Sequence, residues 1–273
     1  MSRIPVVATV LILASAACDS MGPEPDASVA IRFIATPSGG ATLAANGAGS
    51  ELDIVGSNGT LRLTDIHFIV DEFELEQDED ACEAELRFRG AAHPDDDDDD
   101  PDDACEEFEA GPFFVALALG GEVTVVEQDV PPGTYTRLDF EVEDVDFRDD
   151  DDDDDDHGVG EGSLLQAIRT AGFTEWPDKA SMVVTGSFTP VSGPARPFTT
   201  FFEAEIEIRK RFEPPLVVTD EQTTISIEVD PSMWFLRPNG TVVDLSAFDF
   251  ERTGRLVEFE VEMRDGFRRL RRH

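Results

Sequence analysis

Two runs of aspartate are the residues in this sequence best placed to do chemistry. The first is Asp95, Asp96, Asp97, Asp98, Asp99 and Asp100, continued past Pro101 by Asp102 and Asp103. The second is Asp149, Asp150, Asp151, Asp152, Asp153, Asp154, Asp155 and Asp156. Adjacent carboxylates repel one another, so each run reads as an extended, solvated loop that gathers cations or keeps some of its carboxyls protonated above their usual range. Ca²⁺ is the ion such a run would take, because it accepts about six to eight oxygen ligands in irregular geometry. The order is not that of an EF-hand loop: Gly158 falls one place late after His157, and no Glu stands at the closing position. The expectation is weak, multivalent cation capture or plain solvation.

His93 and His157 adjoin the runs, and imidazole with carboxylates suits Zn²⁺ or Cu²⁺, but two isolated histidines on loops are more simply solvated. Glu203, Glu205 and Glu207, and again Glu258, Glu260 and Glu262, alternate along strand-like segments. Same-face neighbours would lie about 7 Å apart, within the spacing of an inverting glycosidase's acid and base. One of such a pair must be buried to raise its pKa, whereas these read as the wet face of a sheet. No nucleophile elbow, zinc-protease helix or phosphate loop occurs, and four His and one Tyr leave few general bases. A non-enzymatic protein is expected. Trp176, Trp234 and the phenylalanines are able to stack on a sugar ring, although Phe at alternating strand positions is ordinarily core.

Charge narrows the partners. With 60 acidic and 21 basic residues the chain carries a formal −39, which disfavours nucleic acid and anionic lipid and leaves cations or a basic partner. Residues 264–273 reverse the sign locally, with five Arg against one Asp. That end reads as a frayed terminus, as a contact for an acidic loop, or as an anionic-surface contact anchored by Phe267 and Leu270.

Residues 1–17 combine Arg3, an apolar run and small residues, the pattern of an export signal. Ser15-Ala16-Ala17-Cys18 resembles a lipoprotein processing site, with Cys18 as the lipid-bearing residue; ordinary small-x-small cleavage is the alternative, giving a secreted protein. The cysteines are Cys18, Cys82 and Cys105, an odd count for an oxidising compartment. Lipidation of Cys18 leaves Cys82 and Cys105 to form a disulfide around the first aspartate run, worth about 3 kcal/mol of loop entropy.

The elements that must position these groups have mostly a period of two. Residues 18–27 have the composition of a tether. Residues 28–148 read as a β-sandwich domain with an acidic loop at 93–104, and the alternation of residues 60–76 changes phase near Asp71, as at a bulge or bend. Residues 149–162 are an acidic linker, and 163–273 a second β-rich half that completes the same sandwich or stands beside it. Within it, Ser163 with Gln166 forms a capping box for a short helix ending at Gly172. Residues 198–208 and 256–263 alternate as single strands, and Asp230-Pro-Ser and Asp244-Leu-Ser open single helical turns. The expected fold is all-β, a mostly antiparallel β-sandwich of immunoglobulin-like or transthyretin-like type, with one short helix and two acidic loops.

Gly111-Pro-Phe-Phe-Val-Ala-Leu and Val130-Pro-Pro-Gly-Thr-Tyr-Thr-Arg-Leu-Asp-Phe resemble motifs of an uncharacterised family of bacterial envelope lipoproteins. The resemblance covers mainly residues 28–148, and residues 197–218 are similar to the segment that often follows. It implies a β-sandwich and supplies no catalytic residue. The expectation for function is a non-enzymatic, lipid-anchored binding or structural module of the cell envelope, without a cofactor. Low-affinity Ca²⁺ capture by the aspartate runs is the alternative, ahead of carbohydrate binding or polysaccharide hydrolysis.

Overall fold

The computed structural model describes residues 27–46, 49–77, 108–145, 158–219, 222–259 and 261–272. The expected export signal at residues 1–17, Cys18, Cys82, Cys105, His93, His157 and both aspartate runs lie outside the described residues.

The first part of the chain forms β1 (Ala27–Ala35), β2 (Ala41–Asn46), β3 (Gly49–Gly56), β4 (Gly59–Val70), β5 (Phe73–Gln77), β6 (Phe108–Ala110), β7 (Phe113–Ala116), β8 (Glu122–Val130) and β9 (Gly133–Val142). Helix α1 (Gly158–Thr170) follows, then β10 (Met182–Pro190), β11 (Arg196–Glu203), β12 (Ile206–Val218) and β13 (Thr223–Val229). The last part holds the one-turn helix α2 (Pro231–Phe235), a 3₁₀ turn (Leu245–Phe248), α3 (Phe250–Thr253), β14 (Val257–Glu258), α4 (Val261–Gly266) and β15 (Phe267–Arg272). No helix among the described residues is long and apolar enough to cross a membrane.

The strands make three sheets, ordered β15-β13-β1-β8, β14-β11-β10-β4-β3-β2 with β7 also on β4, and β12-β9-β5-β6. Pairing is antiparallel except between β1 and β13 and between β11 and β14. The fold is all-β and sandwich-like. Strands from both sides of the second aspartate run interleave, β10 lying between β11 and β4 and β12 beside β9, and one continuous core joins them. Phe33 of β1 is its hub, with its ring 5.3 Å from Phe68, 6.1 Å from Phe73, 5.9 Å from Phe140 and 6.1 Å from Phe267, so that it touches all three sheets. The single Tyr, Tyr135, is buried and donates its hydroxyl to the Pro131 carbonyl at 2.7 Å, fixing the turn before β9.

The phase change at Asp71 is a crossing between sheets. Ile66, Phe68 and Val70 are buried on β4, Phe73 and Leu75 on β5, and the two intervening residues move the chain to another sheet. A second crossing occurs at residues 204–205, where the expected single strand 198–208 divides into β11 and β12. Phe198, Thr200, Phe202, Ala204, Ile206 and Ile208 all stay buried through it, so the alternation itself carries no mark of the break.

Three expectations are corrected. Helix α1 starts at Gly158, so Ser163 sits inside it rather than at its N-terminus, while Leu164 and Ile168 pack on Ile69 over the outer face of β4. Residues 256–263 form only the short β14, because Phe259 stacks on Phe235 at 5.6 Å and the chain then turns through α4 to bring β15 antiparallel to β13. The Arg-rich end is an ordered edge strand: Phe267 is core, Arg268 and Arg271 pair with Asp230 and Glu228, and Arg272 donates to the Pro214 and Pro215 carbonyls. Phe267 is therefore no membrane anchor.

Candidate functional site

The segment after β13 is where the fold departs from sheet packing, and a buried carboxylate organises it. Asp230 is fully buried and caps α2 by accepting from the Ser232 amide at 3.1 Å. It also accepts the Ser38 amide at 3.2 Å, the hydroxyls of Ser38 and Ser232, and Arg268 Nη1 at 3.0 Å. A buried charge is tolerated only when so surrounded by donors. The network ties the end of β1, the start of α2 and β15 together.

Trp234 of α2 lies against Gly266, where an added Cβ would stand 1.8 Å from the indole nitrogen; only glycine allows that approach. The turn after α2 is held from the other side by Asn58, whose side chain donates to the Val242 carbonyl at 2.9 Å and accepts from its amide at 2.8 Å. Asn239 closes the turn itself by accepting from the Thr241 amide at 3.0 Å.

These elements wall an open cavity of about 580 Å³. Its apolar surface comes from Phe202, Trp234, Leu236, Val243, Leu245, Val257 and Phe259. Met233 and Phe248 stand at its edge, 38% and 42% exposed although apolar. Ser38, Ser232, Arg237, Glu258 and Asp265 are its polar lining. Arg237, Glu258 and Asp265 are exposed, and none of the three makes an ion pair with another of the described residues. Small-molecule sites commonly share a volume of about 300–1,000 Å³, mostly apolar walls and a few polar groups.

A second cavity, about 430 Å³, lies over β3, β4 and the residues after β7, with Glu51, Asp65 and His67 in its lining. His67 stacks on Phe114 at 5.2 Å and meets the edge of Phe173 at 5.3 Å, and its Nδ1 is buried without a hydrogen-bond partner. Burial holds its pKa below the ordinary histidine value, against the opposing pull of Asp65. Asp65 accepts from Thr185 at 2.9 Å. Among the described residues, no group of three or more His, Cys, Asp or Glu is arranged to hold a metal ion.

Cys18, Cys82, Cys105 and the aspartates at 95–100 and 149–156 are outside the described residues. Glu203 pairs with Lys179 at 3.4 Å and Glu207 with Arg209, while Glu205 and Glu258 are exposed. Trp176 is spent on packing, edge-on to Phe114 at 5.4 Å and Phe201 at 5.3 Å. Trp234 lines the cavity.

Sequence reasoning missed the buried carboxylates. Asp139 is paired with Arg137 at 2.7 Å; burial raises its pKa and the arginines beside it oppose the rise. Glu228 is paired with Arg271. Asp230 was legible only as a helix cap. Partial burial, with neighbouring carboxylates adding to it, also raises the pKa of Asp71, Glu72, Glu143 and Asp144, which make an acidic ridge where β4, β5 and β9 meet.

No protein-family model, curated protein or solved structure matches this chain. The chemistry of the cavity rests on its own residues.

Proposed function

We propose that the protein is a non-enzymatic binding module of the bacterial cell envelope, exported and held to the membrane by lipid on Cys18, with the cavity beneath α2 as its ligand site. The export signal, the tether and the resemblance to envelope lipoproteins support the address; on this reading Cys82 and Cys105 are joined as a disulfide in the oxidising compartment. The observation that carries the binding role is the 580 Å³ cavity with Met233 and Phe248 exposed at its edge. A fold of this size has enough core to close such a gap, so an aromatic-walled space kept open beside solvent-exposed apolar side chains points to an occupant. The ligand has an apolar body small enough for that volume.

Calorimetric titration of the full chain bearing Cys18→Ser, which carries no acyl chain of its own, with octyl glucoside below its micelle-forming concentration tests this reading. Saturable one-to-one binding is expected, and Val257→Phe, which pushes a ring into the cavity from β14, should weaken it about tenfold or more. Absence of saturable heat, or binding unaffected by Val257→Phe in a protein with unchanged thermal stability, would overturn it.

A further inference from the structure

We infer that the ligand of this cavity carries a cationic ammonium group on its apolar body. The inference rests on the reading of the cavity as the ligand site and adds the charge of what occupies it. Three observations point the same way.

The first is the balance of charge at the opening, where Glu258 and Asp265 stand against Arg237 alone, and none of these side chains is paired with another described residue. A ligand head placed there meets a net negative set of exposed groups. The second is the supply of hydrogen-bond donors. An anionic head would need several, yet the amides and hydroxyls of Ser38 and Ser232 are already given to Asp230 and the Arg237 amide to the Thr241 carbonyl at 2.8 Å, so that among these groups only the Arg237 guanidinium is left to donate, opposed by the two carboxylates of the lining. An alkylated ammonium group needs no such donors. The third is the wall itself: Phe202, Trp234, Phe248 and Phe259 line it, and the π face of an aromatic ring attracts a cation. The −39 charge of the whole chain adds a long-range pull on cations. A trimethylammonium group fits all three, whether it belongs to a free amphiphilic amine or to a phosphocholine headgroup.

Calorimetric titrations of the Cys18→Ser full chain with octyltrimethylammonium, octylphosphocholine, octyl glucoside and octyl sulfate share one tail and differ only in the head. At about 0.15 M salt, where distant charges are screened, octyltrimethylammonium should bind about threefold to tenfold more tightly than octyl glucoside, and octyl sulfate more weakly than either. Octylphosphocholine matching the simple ammonium would assign a lipid headgroup as the source; weaker binding would assign a free amine. The double variant Glu258→Gln/Asp265→Asn should remove most of the advantage of octyltrimethylammonium over octyl glucoside, while Glu207→Gln, a carboxylate on β12 outside the cavity, leaves it unchanged. Octyl glucoside or octyl sulfate binding as tightly as the ammonium overturns the inference and leaves the cavity reading in place. Equal losses from Glu207→Gln and from the double variant also overturn it, since the attraction would then be general. If no probe binds, the cavity reading itself fails.

Discussion

Asp230 shows how one side chain sets up a site it does not itself present. Its carboxylate gathers two backbone amides, two hydroxyls and one guanidinium from three separate parts of the chain. Removing it strands those donors and uncaps α2, so Asp230→Ala should lower stability by about 3 kcal/mol or more, read from the urea midpoint, and abolish octyl glucoside binding. A loss under about 1 kcal/mol would mean that the network is incidental. The helix cap was legible in the sequence because Asp-Pro-Ser has a local mechanism for starting a helix. Its partners Ser38 and Arg268 were not, since nothing local links Asp230 to residues 192 and 38 positions away. His67 was passed over for a similar reason: its stacking on Phe114 and Phe173 depends on α1 and the segment after it covering the outer face of β4.

At the scale of elements, alternation located most strands but hid where they change sheets. At Asp71 the phase of the pattern shifts and the crossing could be read; at residues 204–205 the phase is kept and it could not. Residues 256–263 keep a strand-like pattern through what becomes α4, because the burial of Phe259 satisfies the pattern at one position and the chain then turns. The acidic ridge belongs to the first crossing. Asp71, Glu72, Glu143 and Asp144 all have folded-state pKa values above their unfolded ones, so the folded chain holds protons more tightly and gains stability as pH falls toward the unfolded carboxylate range. His67 acts in the opposite sense: its folded pKa is lowered, so its contribution is intact above about pH 6.5 and is lost as pH falls below. Asp71→Asn/Asp144→Asn should therefore melt at a higher temperature than the parent at pH 7.5, with the advantage shrinking toward about pH 4 as the parent carboxyls protonate. A variant less stable than the parent at pH 7.5, or an advantage independent of pH, would remove the ridge as a source of strain.

The whole molecule joins two properties that the sequence states separately. Its acidity sets a long-range field that favours cations, and phenylalanines of β1, β4, β5, β9 and β15 unite three sheets around Phe33. The all-β class followed from the spacing of apolar residues along the chain. The cavity did not, because its walls come from β11, α2, the 3₁₀ turn and β14, elements whose approach is decided by the Asp230 network and by Trp234 resting on Gly266. The aspartate runs were the loudest signal in the sequence, yet they lie outside the described residues, and the cavity is drawn from the described residues alone. The most direct test of the ligand site is crystallographic: crystals of the Cys18→Ser chain soaked with an ω-bromooctyl glucoside, with the bromine located by its anomalous scattering. One strong bromine peak between Phe202, Val257 and Phe259 is expected, lost in Val257→Phe crystals. A peak only elsewhere on the molecule, or none at a concentration that saturates the calorimetric titration, would contradict it.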